Sequence, residues 1–329
     1  MRIFLTGGSG LIGSHVADRL IRSGHEIVAL QRPRSDSSFL ETLGCEIHVG
    51  DVRDGVEHHH SRMRGCTAVV HCAALIYTST SWPEVRAVNV DGTRNVLQAA
   101  GEAGVSAAVH VSSIAVYGDP GDHIDESAPM DRPLRPADLY ARSKREAEAV
   151  ALRFHGRGMA LTILRPSAVY GERDRLFIPK LARMVRSPMT IVMGPGCNTL
   201  PVVYAGNVAA GVEAALSGRG AGRAFNLATD HPITQLELLE GLAAGLGRTP
   251  RFMHLPAGFV QKSAKLGEAV GFKIPGARDL SLARVAALAL GDNPYDSSLA
   301  REILCWDPPH THEDALRRTG EWFRNQGRR

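Results

Sequence analysis

Hydrophobic and polar positions change their period repeatedly through the first half of the chain. Short apolar runs alternate with longer segments whose apolar residues recur at helical spacing. This alternation is typical of parallel strands that are joined by crossover helices. The strands that it predicts are residues 2–6, 26–30, 46–49, 68–72, 107–112 and 160–165.

Three longer segments between these runs have the period of an amphipathic helix. A proline-rich loop precedes the third of them and marks a boundary in the chain. After Gly171 the pattern becomes less regular, and only two further strands are predicted. The predicted helices are residues 11–23, 85–100 and 140–155, and the later strands are residues 200–204 and 224–227.

The change of pattern predicts an α/β fold with two unequal lobes. We expect residues 1–171 to form a doubly wound parallel sheet of the Rossmann type, to which residues 200–228 return. We expect residues 172–329 to form mainly a smaller, mostly helical substrate lobe. A chain of 329 residues is long enough to bury a core of this size.

Composition and charge exclude several classes of protein. Hydrophobic residues make up 44% and charged residues 22% of the chain, which is typical of a globular protein and not of a disordered or collagen-like one. The 38 Lys and Arg residues nearly balance the 34 Asp and Glu residues. Since no basic block is interleaved with aromatic residues, nucleic acid is not expected as a partner.

The cysteines and the N-terminal residues indicate in which cellular compartment the protein is expected. The five cysteines are odd in number and lack paired spacing, so we expect reduced thiols. The chain begins as a strand, which leaves no room for a secretion signal. It also lacks the apolar stretch of about 20 residues that crosses a bilayer. We expect a soluble, cytoplasmic protein with no membrane partner.

A glycine-rich turn follows the first predicted strand and opens the first helix. Residues 6–13 read Thr-Gly-Gly-Ser-Gly-Leu-Ile-Gly. Glycines at such a turn let the backbone approach a pyrophosphate, and the free N–H groups at the helix start receive its charge. An ordinary strand-to-helix loop is the alternative. The residues predicted to bind a dinucleotide here are Gly7, Gly10, Leu11, Ile12 and Gly13.

The end of the second strand bears on the choice of dinucleotide. Gln31 stands where an acidic residue would grip the ribose of NAD, and Arg32 and Arg34 follow it. These residues favour NADP over NAD, because arginines pair with a 2′-phosphate that an acid would repel. The alternative interpretation is that the two arginines are solvated charges on the protein surface. Asp51, after the third strand, is placed either to accept from the adenine amino group or to cap a helix.

Tyr140 and Lys144 are spaced to lie on one face of a predicted helix. A phenol exchanges protons near neutral pH only if a positive charge favours the phenolate, and Lys144 supplies one. Ser112 and Ser113 end the fifth strand, at the edge where such sheets bind ligands. The tyrosine and lysine alone are also typical of a surface pair, but the serines and the glycine turn favour a catalytic site.

Together these segments resemble an extended short-chain dehydrogenase/reductase of the NAD-dependent epimerase/dehydratase group. Further matching segments are residues 71–74, 89–96, 112–118 and 165–171, so the resemblance covers nearly the whole chain. It implies that Tyr140 is the acid/base, that Lys144 also holds the nicotinamide ribose, and that Ser113, four residues before Tyr117, is the catalytic serine. Ser112 is then structural.

The resemblance also implies further contacts and an assembly. With it, Val52, Ala73, Ala74 and Pro166 are assigned to the cofactor site, alongside the residues named above. A homodimer is implied, packed through the helices around residues 85–100 and 140–155. The substrate is expected to be a small molecule, and no metal is expected.

Differences between this sequence and the motifs of the group reduce the number of reactions to consider. Ser112-Ser113-Ile114 replaces the Thr-Asp-Glu of dehydratases. Ala168 and the pair Leu200-Pro201 stand where sugar-nucleotide epimerases usually have Asn and Arg-Asp. A diphosphate needs cationic and hydrogen-bonding partners, so these losses favour a less charged substrate. Asn207 instead resembles the sterol-dehydrogenase-like branch.

Three functions therefore remain open. The first is an NAD(P)-dependent oxidoreductase for a secondary alcohol or ketone. The second is a nucleotide-sugar 4-epimerase with tightly bound NAD, and the third is a dinucleotide sensor without turnover. The basic residues available to meet a diphosphate in the second function are Arg173, Arg175, Lys180, Arg183 and Arg186.

Some other residues are expected to have structural roles. His58, His59 and His60 are interpreted as solvated surface, because adjacent histidines point in different directions on a helix. His310 and His312 are interpreted as a polar lead into the last helix. Tyr77 and Trp82 follow the fourth strand, where they either contact substrate or pack.

Overall fold

The main feature of the computed structural model is a seven-stranded sheet. The structure describes residues 1–76, 81–118, 121, 123–269, 286–287 and 289–326. The strands are β1 (Arg2–Thr6), β2 (Glu26–Gln31), β3 (Glu46–Val49), β4 (Ala68–His71), β5 (Ala107–Val111), β6 (Ala160–Pro166), β7 (Ala168–Tyr170), β8 (Thr190–Met193), β9 (Val202–Tyr204), β10 (Ala224–Leu227) and β11 (Phe252–Leu255). The strands of the large sheet run in the order β10-β6-β5-β4-β1-β2-β3, and all neighbours are parallel.

Helices cover both faces of this sheet. A π-helical turn at Ala87–Asp91 joins two of them, and short 3-10 turns lie at Ile114–Tyr117 and Leu152–Phe154. The α-helices are α1 (Leu11–Arg22), α2 (Ser38–Thr42), α3 (Val56–Arg62), α4 (Trp82–Arg86), α5 (Gly92–Glu102), α6 (Leu139–Ala151), α7 (Ile178–Val185), α8 (Ala205–Ala215), α9 (Gln235–Gly245), α10 (Ala257–Ala269), α11 (Ser298–Leu304) and α12 (His312–Gln326).

The central strands are buried on both faces, which explains their nearly continuous apolar sequence. On β1, Ile3 and Leu5 pack into a cluster with α1, α8 and α11, whereas Phe4 packs into a cluster with α5. All three side chains are fully buried. The predicted doubly wound parallel sheet is therefore confirmed.

A smaller lobe has a core of its own. Tyr170, Val192 and Leu242 are buried together there, among side chains from α7, α9 and α12. Its sheets are short parallel pairs, β7 with β9 and β8 with β11. The chain returns to the large sheet in between, since β10 forms its edge beside β6 and α8 packs on α1.

The glycine turn after β1 is held by close backbone contacts. Gly7 has a φ of +73°, and a Cβ there would lie 2.7 Å from the backbone nitrogen of Ala73. A Cβ on Gly13 would lie 2.2 Å from the carbonyl oxygen of Gly7. At Gly8 the constraint comes from the side chain of Leu40 on α2, 2.9 Å from a Cβ. The turn therefore fits tightly between α1 and the end of β4.

Gly13→Ala is expected to lower the free energy of unfolding by about 1–3 kcal/mol, because the methyl group must push the turn at Gly7 aside. Gly258→Ala is the control, since a Cβ at Gly258 in α10 meets no atom within 4 Å. Urea unfolding followed by circular dichroism measures both changes. Equal stabilities of the two variants would contradict the packing argument.

Candidate active site

The start of α1 is open to a negatively charged group. Its N-cap residue is Gly10, no side chain caps the helix, and the first turn has no acidic residue. The N–H of Gly10 donates to the carbonyl of Gly7 at 2.9 Å, which shapes the turn. The positive end of the helix dipole and its first N–H groups therefore suit a phosphate at Leu11 and Ile12.

Gln31 lies at the end of β2 and has an unused donor. Gln31 is 3% exposed, and the Nε2 atom of its side chain has no hydrogen-bond partner among the described residues. Its carbonyl accepts from the N–H of Gly50 at 2.8 Å. A buried amide without a partner is costly, so this atom fits a ligand oxygen such as that of a ribose or a phosphate.

The residues after β2 and β3 form the outer end of the same edge. Arg32 and Arg34 are exposed, and Arg34 has a φ of +68°. The carboxylate of Asp51 accepts from Nε and Nη2 of Arg53, both at 2.9 Å, and this pairing lowers its pKa. Helix α3 has Gly55 at its N-cap, so Asp51 does not cap it. Contact of Asp51 with adenine stays a prediction.

The other predicted cofactor residues lie at the carboxyl ends of neighbouring strands. Val52 is buried against Gly92, where a Cβ would lie 2.7 Å from its Cγ2 atom. Ala73 and Ala74 are half-buried after β4, and the N–H of Ala73 donates to Oγ1 of Thr6 at 3.3 Å. Pro166 is the buried last residue of β6. Strand ends of a parallel sheet share one edge, where ligands bind.

Tyr140 and Lys144 lie in α6, which is capped by Asp138. The Nζ atom of Lys144 lies 5.9 Å from the ring centre of Tyr140 and donates to the carbonyl of Val111 at 2.8 Å. Lys144 is 3% exposed, and burial lowers its pKa to about 8. The structure thus places the ammonium beside the phenol ring and ties it to the end of β5.

The two serines that follow β5 differ in accessibility. Ser112 is 3% exposed, and its Oγ atom has no partner among the described residues. Ser113 is less buried, and its Oγ atom accepts from the N–H of Ala115 at 3.2 Å. Because a hydroxyl can accept and donate at once, Ser113 still has a proton to give to a ligand oxygen.

Asn89 is a site residue that the sequence interpretation missed. Its Nδ2 atom donates to Oγ of Ser143 at 2.8 Å and to the carbonyl of Leu75 at 3.0 Å, and its Oδ1 atom accepts from the N–H of Leu75 at 2.7 Å. Ser143 in turn donates to the carbonyl of Tyr140 at 2.8 Å. Asn89 therefore joins the loop after β4 to the first turn of α6. The sequence feature that could have identified Asn89 is a polar residue on the buried face of a predicted helix.

The helix predicted over residues 85–100 is interrupted at this point. The π-helical turn at Ala87–Asp91 contains Asn89 and separates α4 from α5. Such turns insert one residue into a helix and are frequent at functional sites. The inserted residue shifts the helix face, so Asn89 points to Ser143 while Thr93 on α5 stays buried at 0% exposure.

Thr93 belongs to a chain of hydrogen bonds with defined donors and acceptors, beneath the sheet edge where the strands end. The Thr93 hydroxyl donates to the carbonyl of Asn89 at 2.7 Å, so its oxygen accepts from Nε2 of His71 at 3.0 Å. Nδ1 of His71 then accepts from the hydroxyl of Thr6 at 2.8 Å. Burial lowers the pKa of His71 to about 3, which keeps the ring neutral as this order requires.

The NAD dependent epimerase/dehydratase family matches residues 3–228 of this sequence. This match covers more than half of the chain, including the glycine turn, the serines and the tyrosine-lysine helix. The chain belongs to this family. Family membership confirms the resemblance seen in the sequence.

Relatives within the family include both reductases and epimerases. A 4-hydroxy-2-methyl-3-oxo-4-farnesyl-3,4-dihydroquinoline-1-oxide ketoreductase from Stigmatella aurantiaca is 30% identical over 97% of this chain and 97% of its own length. An N-acetyl-alpha-D-glucosaminyl-diphospho-ditrans,octacis-undecaprenol 4-epimerase from Escherichia coli O157:H7 is 29% identical over 77% of this chain and 75% of its own length. The chain is therefore an NAD-dependent enzyme of the dehydrogenase, reductase or epimerase type.

A solved structure shows the same fold. UDP-glucose-4-epimerase from Stenotrophomonas maltophila, with bound NAD and formylated UDP-arabinopyranose, superimposes with a TM-score of 0.76. The match covers 100% of this chain and 99% of that one, at 24% identity. At this sequence identity, the structural comparison shows a shared fold only.

Several polar residues outside the sheet edge join the smaller lobe to the large sheet domain. Asn207 is fully buried, donates to Asp230 at 2.7 Å and accepts from the N–H of His310 at 3.0 Å. His312 lies 3.2 Å from Asp230 and is buried at the start of α12. Arg173 donates to Oγ of Ser14 at 2.8 Å. These contacts anchor elements of the fold.

The remaining predicted residues have mixed outcomes. His58 and His60 are exposed as expected, but the expectation for His59 is wrong: it is buried, with Nε2 3.3 Å from the carbonyl of Val52. The guanidinium of Arg142 lies 3.7 Å above the ring of Trp82, and Tyr77 lies outside the described residues. Within the described ranges, no cluster of metal-ligating residues occurs, nor any helix able to cross a membrane.

Thr93→Val is expected to lower the free energy of unfolding by about 1–3 kcal/mol, because His71 loses its acceptor in a buried place. Thr67→Val is the matched control, since Thr67 is exposed. Thermal unfolding by calorimetry compares the two variants. If both variants melt with the wild type, the buried chain of hydrogen bonds does not stabilise the fold.

Proposed function

We propose that the protein is an NAD(P)-dependent oxidoreductase that exchanges a hydride with a secondary alcohol or ketone. The observation that carries the proposal is the buried ammonium of Lys144, which lies beside the ring of Tyr140 and is bonded to Val111, two residues before Ser113. A phenol, a cation and a hydroxyl at one sheet edge suit proton transfer to a substrate oxygen.

Each of the three side chains has a defined role toward the substrate oxygen or its proton. The cofactor, when bound, supplies or accepts the hydride. In reduction, Tyr140 gives its phenolic proton to the oxygen that becomes the alcohol, and in oxidation it takes that proton back. Lys144 favours the phenolate through its charge, and Ser113 donates a hydrogen bond to the same oxygen.

The edge of the sheet suits the dinucleotide in three places. The start of α1 receives the pyrophosphate at Gly10, Leu11 and Ile12, since its N–H groups lack a capping side chain. The unpartnered amide of Gln31 meets the ribose. Lys144, besides its role toward Tyr140, holds the second ribose. These assignments are part of the proposal.

An apolar ketone is the proposed substrate class. Tyr140 packs with Ala115, Ala141 and Leu134, so apolar side chains lie beside the proposed acid/base. Ala168 and Leu200 stand where sugar-nucleotide enzymes have polar side chains. The ketoreductase relative, similar over almost its whole length, supports the same class.

A nucleotide-sugar 4-epimerase is the second candidate. The undecaprenol-linked relative supports it, and so do the exposed basic residues Arg175, Lys180, Arg183 and Arg186 on and near α7. Arg173 is less available, because its guanidinium is bonded to Ser14 and lies 4.0 Å from the ring of Phe39. A sensor without turnover is the third candidate.

One assay separates the three candidates. The purified protein is incubated with NADPH or NADH and a panel of aliphatic, isoprenoid and steroid ketones. It is incubated in parallel with NAD and UDP-hexoses. An oxidoreductase consumes reduced cofactor in proportion to the alcohol formed, an epimerase interconverts sugars without net redox change, and a sensor binds the dinucleotide and does neither.

Assembly and location belong to the same proposal. We propose a homodimer packed through α5 and α6, in the cytoplasm. The outer faces of these helices carry the pairs Arg94 with Asp91 at 2.6 Å and Arg142 with Glu146 at 3.0 Å. Such surface pairs can exchange partners across a two-fold axis.

Tyr140→Phe is expected to reduce kcat by about 100-fold or more, since the reaction loses its acid/base group. Cofactor affinity should change little, because the ring remains in place. Tyr170→Phe is the matched control: it removes a hydroxyl bonded to His312 in the smaller lobe. Steady-state kinetics and fluorescence titration with NADPH measure the two effects. A fully active Tyr140→Phe variant would refute the assignment.

Gln31→Asp is expected to shift the ratio of kcat/KM for NADPH and NADH by about tenfold toward NADH, because a carboxylate accepts from a ribose and repels a 2′-phosphate. Wild type should prefer NADPH, with Arg32 and Arg34 as phosphate partners. Gln98→Asp on the exposed side of α5 serves as control. An unchanged ratio means that this strand end does not select the cofactor.

A further inference from the structure

The β8–β11 ribbon in the smaller lobe has an apolar outer face. These strands are parallel, with Ile191 beside Met253 and Met193 beside Leu255. Because side chains alternate along a strand, these four point to one side and the buried Val192 to the other. Ile191 and Met253 are 39% and 37% exposed, so apolar surface is left open to solvent.

Helix α10 follows β11 directly and also exposes large apolar side chains. Phe259 is 59% exposed and Leu266 is 67% exposed. Two helical turns separate them, so both project from one side of α10, with Lys262 between them. Among residues 257–267, whose burial is described, Ala264 is the buried residue of this helix. We call the six residues Ile191, Met193, Met253, Leu255, Phe259 and Leu266 the apolar face.

The segments that contain the apolar face are positively charged. Residues 175–212 and 241–267 contain no Asp or Glu, and α10 has one acidic residue, Glu268, next to its last position. Exposed basic residues of the same strands, turns and helix are Arg186, Arg248, Arg251, Lys262 and Lys265. Within the described part of the chain, none of these five pairs with a carboxylate. The charge is therefore available to an external partner.

The register places one of these charges directly at the apolar face. Thr190 pairs with Phe252, so the preceding residues Met189 and Arg251 lie side by side at the end of the ribbon. Met189 is 47% exposed. By alternation, Arg251 projects to the same side as Met253. Apolar and basic side chains thus share one surface.

We infer that this apolar face binds the surface of a bilayer that contains anionic phospholipids. Two terms of interfacial binding are present together: apolar side chains that enter the headgroup layer, and Lys and Arg that are attracted to lipid phosphates. An exposed apolar patch with a basic rim is otherwise unfavourable in water. The proposed contact is peripheral, and it differs from the expectation, made from the sequence, of no membrane partner.

The inference is independent of the proposed reaction, and its test uses no substrate. Full-length protein is floated with vesicles of phosphatidylcholine alone or with about 30% phosphatidylglycerol. Wild type is expected to float with the anionic vesicles at least about tenfold more than with the neutral ones. Salt at about 0.5 M should release most of it, since charge attraction is screened.

Two double variants test the apolar face. Phe259→Glu with Leu266→Glu removes the apolar insertion and adds negative charge, and Lys262→Glu with Lys265→Glu reverses the positive charge while the apolar side chains stay. Each is expected to reduce flotation about tenfold or more. The control is Val49→Glu with Thr67→Glu, which adds the same two charges at exposed residues of the large sheet domain and should float like wild type. Circular dichroism and NADPH binding verify that every variant is folded.

Several results would overturn the inference. Wild type that stays unbound, or that floats equally with neutral vesicles, contradicts an anionic bilayer as partner. Equal losses in the control variant mean that added charge, and not this face, governs binding. If light scattering instead shows a dimer that Phe259→Glu with Leu266→Glu separates, while no variant floats, the apolar face binds a second copy.

Discussion

A buried ammonium group fixes the geometry on which the proposed chemistry depends. Lys144 is removed from water, and its Nζ atom is bonded to the carbonyl of Val111 at 2.8 Å. A buried charge requires opposite charge nearby, and Glu148 lies one helical turn away. Glu148 is itself paired with the buried Arg165 at 2.7 Å. Charges of alternating sign therefore join α6 to β6 behind the active-site edge.

Neutral hydrogen bonds complete the support of this edge. Asn89 fixes the loop after β4 to α6, while His71 links Thr6 of β1 to Thr93 of α5. The glycine turn packs on the same strand end, since Gly7 touches Ala73. The cofactor turn, the serines and the tyrosine thus rest on one connected set of buried contacts. Preorganisation of this kind suits a site that must align two reactants.

Local periodicity predicted the features that depend on nearby residues. Short apolar runs predicted the strands of the large sheet, and helical spacing predicted that Tyr140 and Lys144 share a helix face. The structure has the strands and the two side chains where these patterns put them. The π-helical turn around Asn89 did not follow, because its inserted residue is favoured by contacts with distant Ser143 and Leu75. Burial of His59 and exposure of Ile191 likewise depend on packing and strand register, which spacing alone does not encode.

The segment that leaves β7 limits how the two lobes can move. Glu172 lies 3.6 Å from His15 of α1, and its carboxylate also meets Tyr204 at 2.8 Å and Arg318 of α12 at 3.2 Å. Arg173 adds a bond to Ser14 of the same helix. A hinge is a stretch free to change its backbone angles, and this stretch is clamped from both sides. Any relative motion of the two lobes is therefore expected to pivot at other connections, with the residues of α1 and α12 that meet Glu172 moving together.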